Sequence, residues 1–257
     1  MATPQTGAGD PKRSLELLWR DLEPQPSRPG PKPKLSVDEI VDAAIRVADR
    51  EGSCFSMRGV AAELGVGTMT IYRYIPGKAE LLDLMVDKAG EPGTDTTETE
   101  RRGWRHILEQ LADHSLEFYR LHPWMLEINQ RRPTLGPGGL GGINFALAAF
   151  DDHDVTDKEA ILIINAVWNI VTGTALAFLT NDTPTERGGP ITTEEEWWEI
   201  QEPFLMRAVE SGRFPRLARI EDHTIWDMTA QEAMRHALDA YLDGIAPRME
   251  ETRRVKD

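Results

Sequence analysis

Between residues 56 and 78, side chains able to bond phosphates and touch base edges crowd into one short segment. Thr68, Met69, Thr70, Tyr72, Arg73 and Tyr74 supply short hydroxyls, methyl groups, phenols and one guanidinium on what helical spacing makes the outward side. Hydroxyls bond phosphate oxygens or base edges, Met69 and the threonine methyls suit thymine methyl groups, and a tyrosine serves both purposes. That set of groups fits the major groove of double-stranded DNA. Lys78 opens the next helix, where its ammonium would meet the phosphate backbone as a point charge.

Two helices must hold these groups in place. Ser56 is the expected N-cap of the first, and Val60, Ala61 and Leu64 form its apolar stripe. Gly65 supplies the left-handed residue that ends it. The second runs from about Gly67 to Ile75, turns Val66, Ile71 and Ile75 inward, and stops at Pro76-Gly77. A helix this short is unstable alone, so its neighbours must hold it. The layout is a helix-turn-helix. Before it, Val37 to Arg50 reads as a helix with Ile40, Val41, Ala44, Ile45 and Ala48 inward and Gly52 as its stop. After it, residues 77–89 form a fourth helix, the covalent link to the rest of the chain.

The run Leu64-Gly65-Val66, followed by Thr70-Ile71-Tyr72-Arg73-Tyr74-Ile75-Pro76 and Lys78 and preceded by Ile40-Val41-Asp42-Ala43-Ala44, resembles the DNA-binding domain of TetR family repressors. The likeness spans roughly residues 35–90. It implies that Arg58 reaches a base, that Ser56 caps its helix against a phosphate, and that Tyr72 and Lys78 contact phosphates. It also implies that positions 67–69 set operator choice. The run Arg120, His122, Pro123, Trp124 is similar to the subgroup nearest the tetracycline repressor, and the family dimerises through helices comparable to two described below.

The formal net charge of −14 argues against a surface that binds polyanions indiscriminately. The acidic excess lies almost wholly beyond residue 90, whereas residues 28–34 are purely basic in their charges. A specific reader needs few cations when hydroxyls and backbone amides also meet phosphates, so a modest salt dependence is expected. No uninterrupted apolar run of about 18 residues appears and the first residues lack a signal-peptide pattern, so a cytoplasmic protein without a membrane partner is expected. The single cysteine, Cys54, excludes an internal disulfide and reads as a small buried thiol.

Three regions follow. Residues 1–34 are rich in proline and polar residues and read as a flexible arm with a short amphipathic stretch at Leu15, Leu18, Trp19 and Leu22. Arg28, Lys32 and Lys34 could enter a minor groove or merely stay solvated. Residues 35–90 form the reader. From 101 to 247 the apolar spacing is helical throughout, which makes the fold class all-α: a three-helix DNA-binding domain plus a larger helical regulatory and dimerisation domain. The glycine-rich residues 136–142 read as a flexible loop.

Residues 157–180 are apolar nearly all round, so this helix must be buried on both faces. With the last helix, about 228–245, and the same pair from a twin, it would form a four-helix homodimer interface. Within it Asn165, Asn169 and Thr172 share one stripe. Burial would disfavour that stripe unless a ligand, a neighbouring helix or a second subunit satisfies it. The ligand reading assembles a pocket from Trp104, His114, Phe118, Trp124, Asn144, Asn165, Trp168, Asn169 and Thr172. His106, His114 and His122 recur every eight residues, which does not stack them on one face, so neither metal nor other cofactor is expected. No nucleophile, base and orienting group can be paired, and an enzyme is not expected. The leading expectation is a dimeric repressor that reads a palindromic operator and is released by a small apolar inducer. The alternative is a constitutive DNA-binding dimer whose second domain only dimerises or docks a protein; it would have no sizeable closed cavity.

Overall fold

The computed structural model describes residues 3–22, 35–91, 102–179, 194–221 and 227–250. Ten α-helices make up these parts: α1 Pro11–Leu18, α2 Val37–Glu51, α3 Met57–Glu63, α4 Thr68–Tyr72, α5 Lys78–Ala89, α6 Trp104–Leu121, α7 Pro137–Leu147, α8 Asp157–Phe178, α9 Glu194–Glu210 and α10 Ala230–Met249. A 3-10 helix, Pro123–Glu127, follows α6. The class is all-α, as the periodicity predicts, and the described residues form no strand beyond one isolated bridge.

Two apolar cores divide the molecule. The first gathers Ile40, Val47, Phe55, Val60, Ile71, Ile75, Leu81 and Met85 from α2 to α5. The second gathers Leu108, Leu116, Phe145, Ile164, Val167, Val171, Met234 and Leu238, where α8 packs between α6 and α10. Local rules account for the helix starts. Ser36 and Glu39 form a reciprocal capping box at α2, and Thr229 and Glu232 do the same at α10, each satisfying two orphan backbone donors.

By length and composition α8 could cross a membrane, with a mean hydropathy of 1.8 over its most apolar window. Its packing between two amphipathic helices, and the Glu159–Arg248 ion pair that ties its first turn to α10, make it a core helix. Within the single chain one of its two faces is buried. Val167, Val171 and Ala175 point inward, while Ile161, Leu162 and Leu176 are exposed in the single chain.

The arm is not a loose tail over its described part. Residues 3–22 fold back on the reader, with α1 against α5 and with Leu17 and Leu18 inside the first core. The amphipathic stretch is real but turned: Leu15 and Leu22 face outward. Arg28, Lys32 and Lys34 lie outside the described residues.

The glycine run is a second correction. Instead of a flexible loop it starts α7, with Pro137 in the first turn, where its missing N–H is harmless. The backbone of this helix start lies against α5. The N–H groups of Gly138 and Gly139 donate to the Asp87 carboxylate at 3.1 and 3.0 Å, and a Cβ on Gly138 would fall 2.0 Å from the Asp87 carbonyl oxygen. Gly138→Ala should therefore lower the unfolding free energy by about 1–3 kcal/mol through overpacking, read by chemical denaturation. An unchanged midpoint would show that the two helices do not meet there.

Candidate nucleic-acid interface and regulatory cavity

The reader is built as the local rules require. Ser56 Oγ accepts the Gly59 N–H at 3.0 Å and caps α3. Gly65, at φ 65°, makes the left-handed corner that side chains rarely adopt. The second helix is shorter than the sequence predicts, Thr68–Tyr72, because Arg73 and Tyr74 already belong to a tighter turn whose N–H groups reach back to Thr70 and Ile71. Ile71 and Ile75 are fully buried beneath it, with Val66 partly buried.

Above this floor, Ser56, Arg58, Met69, Tyr72 and Arg73 are exposed, and Thr68 and Thr70 are half-buried. Met69 is the most exposed large apolar side chain of the chain's described residues, at 76%. Arg58 and Arg73 make no ion pair among the described residues. By contrast, Arg46 and Arg50 both bind Glu63, at 3.1 and 2.9 Å, and these hydrogen bonds hold its carboxyl below the ordinary range. Arg58 on α3 and Arg73 after α4 are thus the arginines of the reader without a carboxylate partner among the described residues.

Two expected outward residues are placed differently. Tyr74 is half-buried against the first core, because the chain turns after Tyr72. Lys78 folds its ammonium inward, 3.2 Å from the Ser53 carbonyl oxygen and 4.4 Å above the Phe55 ring, and partial burial lowers its pKa. To meet a phosphate it would have to swing out of that cradle. Cys54 also departs from expectation. It is exposed, because the turn after Gly52 buries Ser53 and Phe55 on either side of it.

A half-open pocket of about 270 Å³ lies where the two cores adjoin, lined by Tyr119, Met125, Leu126, Ile128, Gln130, Thr172 and Leu176, of which Met125 and Ile128 belong to the first core. Tyr119 Oη and Thr172 Oγ1 lie 3.1 Å apart and share a hydrogen bond at its wall. Of the pocket residues expected from sequence, only Thr172 is here. Asn165 and Asn169 are exposed on the open face of α8, and Asn165 donates to its own helix at Ile161 O. His114 and Asn144 are exposed elsewhere, Trp104 and Trp168 pack on the second core, and Phe118 packs on the first, with Tyr119 and His122 against its ring.

Trp124 is the largest displacement. It is 1% exposed and inserted into the reader's core, its indole N–H donating to Asp49 Oδ1 at 2.8 Å. His122 Nδ1 lies 2.7 Å from the same oxygen, and the Ser53 N–H donates to Glu127 Oε2 at 3.0 Å. The 3-10 helix is thus bolted to the reader through Trp124 and Glu127, while Met125 and Leu126 line the cavity. Tyr119 and Gln130 escaped sequence reasoning because each looks like an ordinary polar residue on its own element.

Family models match both parts of this architecture. The one described as bacterial regulatory proteins, tetR family, matches residues 40–85, and the one described as tetracyclin repressor-like, C-terminal domain, matches residues 96–249. The chain belongs to the TetR family. A relative from Streptomyces coeruleorubidus, the HTH-type transcriptional repressor DrrR1, is 43% identical over 87% of this chain and 82% of its own. Among solved structures, ActR of Streptomyces coelicolor in complex with actinorhodin is 21% identical with a TM-score of 0.60, covering 84% of this chain and 98% of its own. Apo ActR is 20% identical with a TM-score of 0.57, over 85% and 100%. At that identity the two structures show the fold alone.

As a TetR-type transcriptional repressor the protein is a DNA-binding regulator, and its reader is the part the first family model covers. In this TetR protein the outer stripe of α8, Leu162, Asn165, Asn169, Gly173 and Leu176, is exposed along its length, and α10 beside it exposes Ala237, Ala240 and Gly244.

Proposed function

We propose that the protein is a ligand-responsive repressor that binds a palindromic operator as a homodimer and releases it when a small, largely apolar molecule enters the regulatory domain. The carrying observation is a reader whose Arg58 and Arg73 make no ion pair among the described residues, joined through Trp124 and Glu127 to the segment that lines the pocket. Arg58, Thr68, Met69, Thr70, Tyr72 and Arg73 are the proposed groove and phosphate contacts, with Ser56 at the phosphate edge and Lys78 joining after it swings outward.

The cavity is apolar with a few orienting groups, namely Tyr119, Gln130 and Thr172, which is how small-molecule sites are built. ActR, a protein of this fold, was solved in complex with the small molecule actinorhodin, which supports a small-molecule ligand here. The exposed stripe of α8 and its neighbour α10 are the proposed dimer face, where Asn165 and Asn169 would find partners across the interface. Two readers held about one DNA turn apart dock together, so a ligand that prefers another spacing weakens binding by its differential affinity.

Selection of genomic fragments by the purified protein, then footprinting of the best fragment against a panel of small molecules, tests it. The expected result is a short palindrome whose protection a compound abolishes; no preferred sequence at moderate salt would overturn it. Thr172→Val removes one wall hydroxyl. It should raise the releasing concentration of that compound about 2- to 10-fold, as for one neutral hydrogen bond, with operator affinity unchanged. Equal release by both proteins would remove Thr172 from the site.

A further inference from the structure

We infer that the N-terminal segment is a strap coupling the wall of the cavity to α5, the helix that carries the reader. This rests on the proposed reading that the reader takes DNA and the cavity takes a ligand.

One end of the strap is paired with the cavity wall. Gln5 bridges Asn129 in parallel, the Thr6 N–H donates to Asn129 O at 3.1 Å, and the Asn129 N–H donates to Pro4 O at 2.9 Å. Thr6, buried, donates its hydroxyl to Arg132 O at 2.6 Å, and Arg132 returns a bond to Gly7 O at 3.1 Å. Asn129 stands between Ile128 and Gln130, both of which line the cavity. A ligand that shifts those two residues shifts the backbone the strap is bonded to.

The other end is paired with α5. Gly7 N–H and Ser14 Oγ both donate to Asp83, at 2.8 and 2.7 Å, and the Asp10 N–H donates to Glu80 at 3.0 Å. Both carboxylates are buried. A Cβ on Gly9 would lie 2.3 Å from Glu80 Oε1, so the strap backbone rests directly on that side chain. Pulling the strap away would leave buried carboxylates short of donors, which is unfavourable, so strap and α5 move together. Leu17 and Leu18 anchor the strap's continuation in the reader's core.

Coupling between two sites is reciprocal, so DNA on the reader must be felt at residues 128–132 through the strap. The test compares the full chain with a variant lacking residues 1–9, which keeps the Asp10 cap and α1, and with Thr6→Val. Amide hydrogen exchange of residues 126–135 is followed with and without the fragment chosen by the selection above. In the full chain DNA should slow this exchange. In both variants the slowing should fall to less than about half, with fragment affinity within about threefold, because the Trp124 and Glu127 bolts carry the remainder. Equal slowing in all three proteins, or none in the full chain while it binds the fragment, overturns the strap alone. Failure to select any fragment overturns the DNA reading and the strap with it.

Discussion

Trp124→Ala should lower the unfolding free energy by about 3–5 kcal/mol, as loss of a fully packed indole does. The side chain is buried in the reader's core although it belongs to the helical domain, so its loss weakens the joint as well as the core. Asp49 would also lose its indole donor, though it is partly exposed and can recover water. Trp124→Phe keeps most of the volume and removes the N–H, and should lie nearer about 1 kcal/mol. Denaturation followed by circular dichroism measures both. For Trp124→Ala the two domains should also separate into distinct transitions, since the His122–Asp49 and Ser53–Glu127 contacts are left as the polar bolts on that side. A single transition within about 1 kcal/mol of the parent would mean that Trp124 does not join the domains.

Arg58→Ala should weaken binding to the selected operator by about 1–3 kcal/mol per reader, concentrated at one base position of each half-site. A dimer carries two readers, so the loss for the whole operator is about twice that, on the order of 30-fold to 10⁴-fold. Arg58 lies on the exposed side of α3 with no ion pair among the described residues, whereas Glu63 takes up Arg46 and Arg50. Arg73→Ala, next to the short helix, should act more evenly across sequences and lower the salt slope, as a phosphate contact does. Binding to matched and scrambled fragments at two salt concentrations separates the two effects. An equal loss on both fragments for Arg58→Ala would make it a phosphate contact.

What could be read from sequence was what short-range rules decide. Within about 25 residues, Ser56, Gly65 and Pro76 punctuate two helices, and Val60, Ala61, Ile71 and Ile75 choose their buried sides. Caps, left-handed corners and helical periods act over one or two turns, so the helix-turn-helix, the all-α class and the family resemblance were legible. Even there the last turn was not, since Arg73 and Tyr74 depart from the helix because of packing around Ile75.

The cavity was decided elsewhere. Its wall brings together Tyr119, the 125–130 segment and Thr172 with Leu176, pieces separated by some fifty residues, and only the crossing of α6 and α8 sets which side chains face it. The same stripe that offered Asn165 and Asn169 to a pocket points outward, because Val167, Val171 and Ala175 bury the opposite side. Trp124 went to the reader's core for a reason no local pattern contains: Asp49, seventy-five residues earlier, waits there as its acceptor. The arm and the glycine run followed the same rule. Composition predicts mobility for both, but α5 presents Glu80, Asp83 and Asp87 as buried acceptors that bind their backbones. Local sequence determined most of the helices and the helix-turn-helix among them; long-range packing alone decided which faces meet, because burial and hydrogen-bond satisfaction are settled only when distant segments arrive together.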